Sequence, residues 1–305
     1  MTKRYAVIFP GQGSQALGMM SQFKTTSTVL QTFEEASDTL RLDLWEVIND
    51  ERLHETEFTQ PVILTASIAL WRVLSANLPC APSYLAGHSL GEYSALCASG
   101  VLDFATAVQL VHLRGQLMTK ATTGIATQML AILGLGDDEV QALCQNTAVD
   151  PANFNSPGQV VVVAGEEQAV AEVATKVRAL GKKALPLKVS VPSHCRLMAP
   201  ASEKLAVVLE NTPLHSPRIP VIQNVAAVAY DDVASIKGAL IAQLSKPVQW
   251  TKTMEQLATL DLDCAIECGF GSVLANLAKR QATPLSVLTS DSTEKIAQIL
   301  TTLEQ

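Results

Sequence analysis

Gly87-His88-Ser89-Leu90-Gly91 carries the strongest chemical signal in the chain, a G-x-S-x-G sequence. It follows the strand-like run Tyr84-Leu85-Ala86 and precedes the helix-like stretch Glu92 to Ala98. In that setting the glycines permit a sharp strand-to-helix turn. Such a turn exposes the Ser89 hydroxyl and puts the Leu90 amide at a helix N-terminus, where an oxyanion can bind. The pattern alone also fits an ordinary glycine-bounded turn. A serine hydroxyl is a poor nucleophile until a base takes its proton, so one of the five histidines should partner it. His54 and His215 lie in polar or proline-rich segments, and His112 lies on an amphipathic helix. His88 adjoins Ser89 on the tight turn, so its ring should point away and serve a structural hydrogen bond. His194 sits in the loop-like Val191-Pro192-Ser193-His194-Cys195. Spacing alone supports a base and a satisfied structural histidine equally there. No aspartate is obviously paired with it, so a backbone carbonyl is one candidate for its orienting acceptor.

Arg114 interrupts the apolar helical stretch Val108 to Leu113, so an inward-pointing guanidinium needs an anionic partner. One reading is a solvent-facing or salt-bridged arginine; the other is a fork gripping a substrate carboxylate. Gly11-Gln12-Gly13-Ser14-Gln15-Ala16 matches the dinucleotide-binding G-x-G-x-x-A. Against that use, Pro10 separates the strand from the glycines, and Glu34 and Glu35 fall in a helical pattern and not at the end of a second strand. The same loop can instead present the Gln12 amide as a second oxyanion donor.

These residues need a scaffold, and the hydropathy pattern supplies one. Short apolar runs (Tyr5 to Phe9, Tyr84 to Gly87) alternate with helical spacing (Val29, Phe33, Ala36 and Leu40; Pro61 to Leu74; Phe104 to Met118), which predicts an α/β architecture with a mostly parallel sheet. From about residue 125 the rhythm becomes β-α-β-β-α-β. Met129 to Leu133 reads as a strand, Asp137 caps a helix that runs through Cys144, and Asn153-Phe154 is extended. Ser156-Pro157-Gly158 is a turn, Gln159 to Ala164 a Val-rich strand, Val170 to Leu180 a helix, and Ala184 to Val189 a last strand. That order is the ferredoxin-like unit. The expected division is a large α/β domain over 1–124 and 192–305, with an inserted small domain over 125–191. Met198 to Leu209 and Val233 to Leu244 read as later helices, Ile219 to Asn224 and Cys264 to Glu267 as later strands.

Composition narrows the class. The 305 residues are 48% hydrophobic and 17% charged, which excludes an intrinsically disordered chain. With 22 Lys+Arg against 29 Asp+Glu, the net charge of -7 argues against a nucleic-acid binder with a broadly basic surface. The chain shows neither a signal-peptide core nor an uninterrupted run of about 18 apolar residues, so a membrane is not an expected partner. Its six cysteines form no C-x-x-C pair, which favours reduced thiols over a disulfide framework or zinc site and points to the cytoplasm.

Taken together, the motifs resemble the malonyl-CoA:acyl carrier protein transacylases of type II fatty acid synthesis over nearly the whole chain. They are Phe9-Pro10-Gly11-Gln12-Gly13-Ser14-Gln15, Gln60-Pro61, Gly87 to Leu96, Arg114-Gly115, Asn153 to Gln159, Val191-Pro192-Ser193-His194 and Pro247-Val248-Gln249-Trp250. The resemblance implies a hydrolase-like large domain, a ferredoxin-like small one and an active site in the gorge between them. It implies Ser89 as the acylated nucleophile and His194 as the base, oriented by the carbonyl of Gln249. Gln12 and Leu90 would supply oxyanion-hole amides, Arg114 would bind the malonyl carboxylate, and Asn155 and Gln60 would line the same region. Two segments depart from the family wording: Ala126 to Ala131, where a glycine-rich run is common, and Glu267-Cys268-Gly269-Phe270-Gly271, where Glu-Val-Gly-Pro-Gly is common. Both bear on the shape of the gorge wall.

The implied reaction is ping-pong acyl transfer from malonyl-CoA to the phosphopantetheine thiol of acyl carrier protein. No metal or redox cofactor is expected, since CoA and phosphopantetheine arrive as parts of the substrates. A serine hydrolase on the same scaffold and a carrier-binding module with a vestigial Ser-His pair are the competing readings.

Overall fold

The computed structural model describes residues 3–158 and 160–304. Gln159, expected to open the Val-rich strand, lies outside the described residues. The larger sheet contains β1 (Tyr5–Phe9), β2 (Tyr84–Gly87), β7 (Val221–Gln223), β8 (Val228–Ala229), β9 (Cys264–Glu267) and β10 (Val287–Thr289), in the order β10-β9-β1-β2-β7-β8. Every pairing is parallel except the β7–β8 hairpin. Its central strands are buried on both faces, as continuous apolar runs such as Tyr5 to Phe9 require.

One face packs against α1 (Ser27–Leu40), α2 (Leu44–Val47), α3 (Thr56–Ser75), α4 (Gly91–Ala98), α5 (Phe104–Ala121), α8 (Ala199–Asn211), α9 (Val233–Gln243) and α12 (Thr293–Glu304). The other face packs against α10 (Trp250–Ala258) and α11 (Val273–Ala278), with Trp250 fully buried beneath Ile8 and Ala86. By length and composition α3 is apolar enough to cross a membrane. It is instead a core helix, with Val62, Leu64, Ala69 and Leu70 completely enclosed.

The second sheet contains β3 (Thr127–Leu133), β4 (Val149–Ser156), β5 (Val160–Glu166) and β6 (Lys183–Pro186), ordered β4-β5-β3-β6 and antiparallel throughout. With α6 (Asp137–Cys144) and α7 (Glu167–Ala179) on one face, this is the expected ferredoxin-like arrangement. Three details differ from expectation. Gly136 and not Asp137 is the residue before α6. Leu180 lies past the end of α7 and is exposed. β6 ends at Pro186, so 187–190 is irregular. The opposite face of this sheet (Met129, Ala131, Val162, Ala164) packs toward Cys195 and Leu197 of the large unit.

β4 joins the two units. Its outer edge pairs with Val248, through Phe154 N–H to Val248 O and Val248 N–H to Ala152 O, both 2.9 Å. The loops after β1, β2, β7 and β9 all leave the carboxyl edge of the parallel sheet, where open α/β sheets bind ligands.

Candidate active site

Ser89 stands on the turn between β2 and α4 with φ of 54°, in the left-handed region. The flanking glycines are obligatory. A Cβ on Gly87 would lie 2.0 Å from the Gly91 carbonyl, and one on Gly91 would lie 2.0 Å from Phe9 O. The turn is pinned from outside by Asn224, just past β7. Asn224 Oδ1 accepts the Ser89 N–H (2.6 Å), its Nδ2 donates to Gly87 O (2.6 Å), and its own N–H donates to Oε2 of the buried Glu92 carboxyl (2.7 Å). Leu90 precedes the first residue of α4, so its amide is one of the unpaired donors of a helix start. Gly11 packs against the serine turn so closely that a Cβ there would lie 2.3 Å from His88 O, and the neighbouring Gln12 lines the same pocket as Leu90. Among the described residues neither the Gln12 nor the Leu90 backbone N–H meets an acceptor.

His194 reaches Ser89 from the chain that follows β6. Its Nε2 lies 2.6 Å from Ser89 Oγ, and its Nδ1 lies 2.6 Å from Gln243 O. A carbonyl only accepts, so the ring proton sits on Nδ1, and Nε2 presents its lone pair to the Ser89 hydroxyl. Burial pushes the imidazole pKa down to about 3; the Arg114 charge adds to this and the bond to Gln243 opposes it. The ring is therefore neutral at pH 7. The expected orienting residue, Gln249, is corrected to Gln243. Gln249 O is occupied by Thr253 N–H and Thr253 Oγ1 in the first turn of α10. Gln243 ends α9, where carbonyls lack intrahelical donors, and the next carbonyl, Leu244 O, accepts the His194 N–H (3.0 Å).

Arg114 is 1% exposed on α5. Its Nη1 donates to Gln60 Oε1 (2.9 Å) and its Nη2 to Gln243 Oε1 (3.0 Å), while the Tyr93 ring lies 5.4 Å from Cζ. Its Nε has no partner, and among the described residues no carboxylate forms an ion pair with it. Burial lowers the guanidinium pKa, with Tyr93 and Glu92 acting the other way. Arg114, Gln12, Ser89, Leu90 and His194 line one pocket of about 80 Å³. A hydroxyl facing a neutral base, two free amides and an unpaired buried cation thus share one small cavity, a set suited to transferring an acyl group that carries an anion.

The family profile described as "Acyl transferase domain" matches residues 6–299. The chain belongs to this acyl transferase family. It is 46% identical over 286 residues to the malonyl CoA-acyl carrier protein transacylase of Salmonella typhimurium, with 91% of this chain and 92% of that protein covered. The Escherichia coli K12 transacylase gives the same identity and coverage. FabD from Acinetobacter baumannii matches with a TM-score of 0.96 at 48% identity, covering 100% of this chain and 99% of that one. A malonyl-transacylase in complex with its type II PKS acyl-carrier protein matches with a TM-score of 0.95 at 44% identity, covering 98% and 99%.

Within this acyl transferase site, two expected lining residues stand one contact back from the pocket. Gln60 holds Arg114. Asn155 Oδ1 accepts from His88 Nε2 (2.8 Å), so His88 turns away from the serine as its position on the turn implied. The pocket wall is formed instead by Asn153, whose buried Oδ1 has no partner, and by Met129, Leu187 and Val189. Of the two departures from the family wording, the first thus contributes Met129 directly. The second packs behind the oxyanion loop, where a Cβ on Gly269 would lie 2.5 Å from Pro10.

Sequence reasoning missed Gln243, Asn224 and Glu92. Gln243 touches all three principal residues, because its Nε2 also donates to Ser89 O (2.9 Å). Its only sequence signal is a glutamine ending an otherwise apolar helix. Glu92 is completely buried, and burial raises its carboxyl to about 7 against the opposing bonds of Asn224 and Gln243 and the charge of Arg114.

Proposed function

We propose that the chain is an [acyl-carrier-protein] S-malonyltransferase of fatty acid biosynthesis, with Ser89 as nucleophile and His194 as base. The observation carrying this reading is the 2.6 Å Ser89 Oγ to His194 Nε2 contact in the pocket that also holds Arg114. Ser89 Oγ attacks the malonyl thioester carbonyl as its proton passes to His194 Nε2, and the Gln12 and Leu90 amides receive the oxyanion. Collapse breaks the C–S bond, and the proton leaves with the CoA thiol. The phosphopantetheine thiol of acyl carrier protein then repeats the sequence in reverse, returning a proton to Ser89 Oγ. The C-terminal end of α9 takes the place of an acidic triad member, since a helix C-terminus favours a cation there by up to about 2 kcal/mol.

The names of the relatives above support malonyl-CoA and acyl carrier protein as the two partners. Thioester exchange is redox-neutral, so the chemistry calls for no electron carrier. We further read the inserted unit as 125–191 and the enzyme as cytoplasmic, the latter from its unpaired cysteines. The test is intact-protein mass after exposure to malonyl-CoA. The parent should gain one malonyl group, which added holo-carrier removes, and Ser89→Ala should gain none. An adduct that persists in Ser89→Ala would overturn the assignment.

A further inference from the structure

A malonyl-serine ester that waits for a thiol must be kept from water, and the mechanism above contains no residue for that task. His194 itself is held by Gln243 O and Leu244 O, but the segment around it, 187–195, forms neither helix nor strand. His194 has φ of 63°. A second cleft of about 330 Å³, lined by Asp150, Pro151, His194, Arg196, Ser245 and Lys246, also reaches the base. Where the two units meet at this cleft, Asp150 of β4 grips Arg196, two residues past His194. Asp150 Oδ2 accepts the Arg196 backbone N–H (2.8 Å), and Arg196 Nε lies 3.0 and 2.9 Å from the two carboxylate oxygens, with Nη2 on Oδ1.

An exposed ion pair usually contributes little. This one differs because a main-chain bond fixes one partner and the guanidinium fork meets the carboxylate along its edge. The Asp150 side chain is also only 24% exposed. Burial pushes its carboxyl up, yet the bonds from Arg196 hold it below the usual carboxylate range. Five residues along the same strand, Asn155 holds His88 next to the nucleophile. One strand of the small unit thus tethers the base from one end and the serine turn from the other.

We infer that Asp150 and Arg196 form a clasp that seats the His194 segment and closes this second approach to the site to water, thereby setting the partition of the acyl-enzyme between thiol transfer and hydrolysis. The inference rests on the acyl-serine reading above. In the suppressed reaction a water oxygen bonds to the ester carbonyl carbon and the C–Oγ bond of Ser89 breaks. The water proton passes through His194 to Ser89 Oγ, and malonate leaves. Opening the clasp admits that water without removing any group used for transfer.

The experiment isolates malonyl-enzyme and follows two decays by intact mass, one in buffer and one with pantetheine as the thiol. In Asp150→Ala and Arg196→Ala the hydrolysis rate should rise about tenfold relative to transfer. Asp150→Asn, which keeps an acceptor for the Arg196 N–H, should give a smaller rise, about threefold. The double variant should match the worse single variant, because the two residues act as a unit. Thermal melts identify any variant that has lost its fold, and Asp150→Asn then carries the test. A partition ratio within twofold of the parent in all variants would overturn the clasp, as would an additive double variant. Failure of the parent to form any malonyl adduct would instead remove the acyl-serine reading on which the clasp depends.

Discussion

Arg114 is a fully buried cation whose side-chain hydrogen bonds go to two neutral amide oxygens, those of Gln60 and Gln243. Neutral partners satisfy its donors without cancelling its charge, so the residue stays available to an incoming carboxylate. Gln243 adds economy, since its side chain holds Arg114 and Ser89 O while its main chain orients His194. Selectivity then follows from charge. On the proposed reading, an acetyl group would leave the guanidinium unpaired, whereas a malonyl group would complete it. Replacing Arg114 with Ala should lower the rate of Ser89 acylation by malonyl-CoA about 100-fold or more, because charge-assisted hydrogen bonds contribute roughly 1.5–3 kcal/mol each. Acylation by acetyl-CoA should change by less than about threefold, an expectation from the same pairing argument. Initial acylation rates with the two donors check this, and equal losses would show that Arg114 only shapes the site.

What presents that arginine is the crossing of α3 and α5. Pro61 lies inside α3 and cannot donate to Glu57 O, and His112 Nδ1 on α5 donates to that freed carbonyl instead (2.9 Å). Three residues further along α5, Gly115 packs directly on the α3 backbone, where a Cβ would lie 2.6 Å from Glu57 Cα and 2.8 Å from Thr56 O. Ala is favoured over Gly in a helix by about 1 kcal/mol, but overpacking against rigid backbone typically costs about 1–3 kcal/mol. Gly115→Ala should therefore destabilise the protein, lowering its urea midpoint, and raise KM for malonyl-CoA as Arg114 shifts from Gln60. A midpoint at or above the parent's would mean that the helices have slack. The sequence made much of this level legible. β1 and β9 fall at the expected residues, as do the serine turn and the order of the small sheet, because apolar runs and turn residues report burial locally. α2, α11 and β10 escaped because four, six and three residues are too few to display a period. The partner of His194 escaped for a different reason. Any residue supplies a carbonyl, so the wording around Gln249 pointed at a motif whose actual work is the Val248 pairing with β4.

At the scale of the molecule, enclosing this machinery buries groups that titrate, and their effects on stability run in opposite directions. Burial lifts Glu92 and Glu267 from 4.5 to about 7, and it lowers His88 and His194 below the ordinary 6.5. For the two acids, the stabilising contribution is complete below about pH 4.5 and is lost as pH rises through about 7, since the folded state resists a buried carboxylate that the unfolded chain forms freely. For the two histidines the sign reverses, because the unfolded chain takes up protons below about 6.5 that the folded state refuses. Between about pH 4.5 and 6.5 the two acids and His194 act with opposite sign, so the parent's stability should fall less steeply there than the acids alone would make it. Glu92→Gln removes one acid and leaves both histidines. Its stability relative to the parent should become less favourable by on the order of 2–3 kcal/mol as pH is lowered from 8 to 5. Urea unfolding of both proteins at each pH unit across that range measures the difference directly. A difference independent of pH would mean that Glu92 stays ionised in the folded protein, neutralised by Arg114, and the cation awaiting malonate would then already be paired.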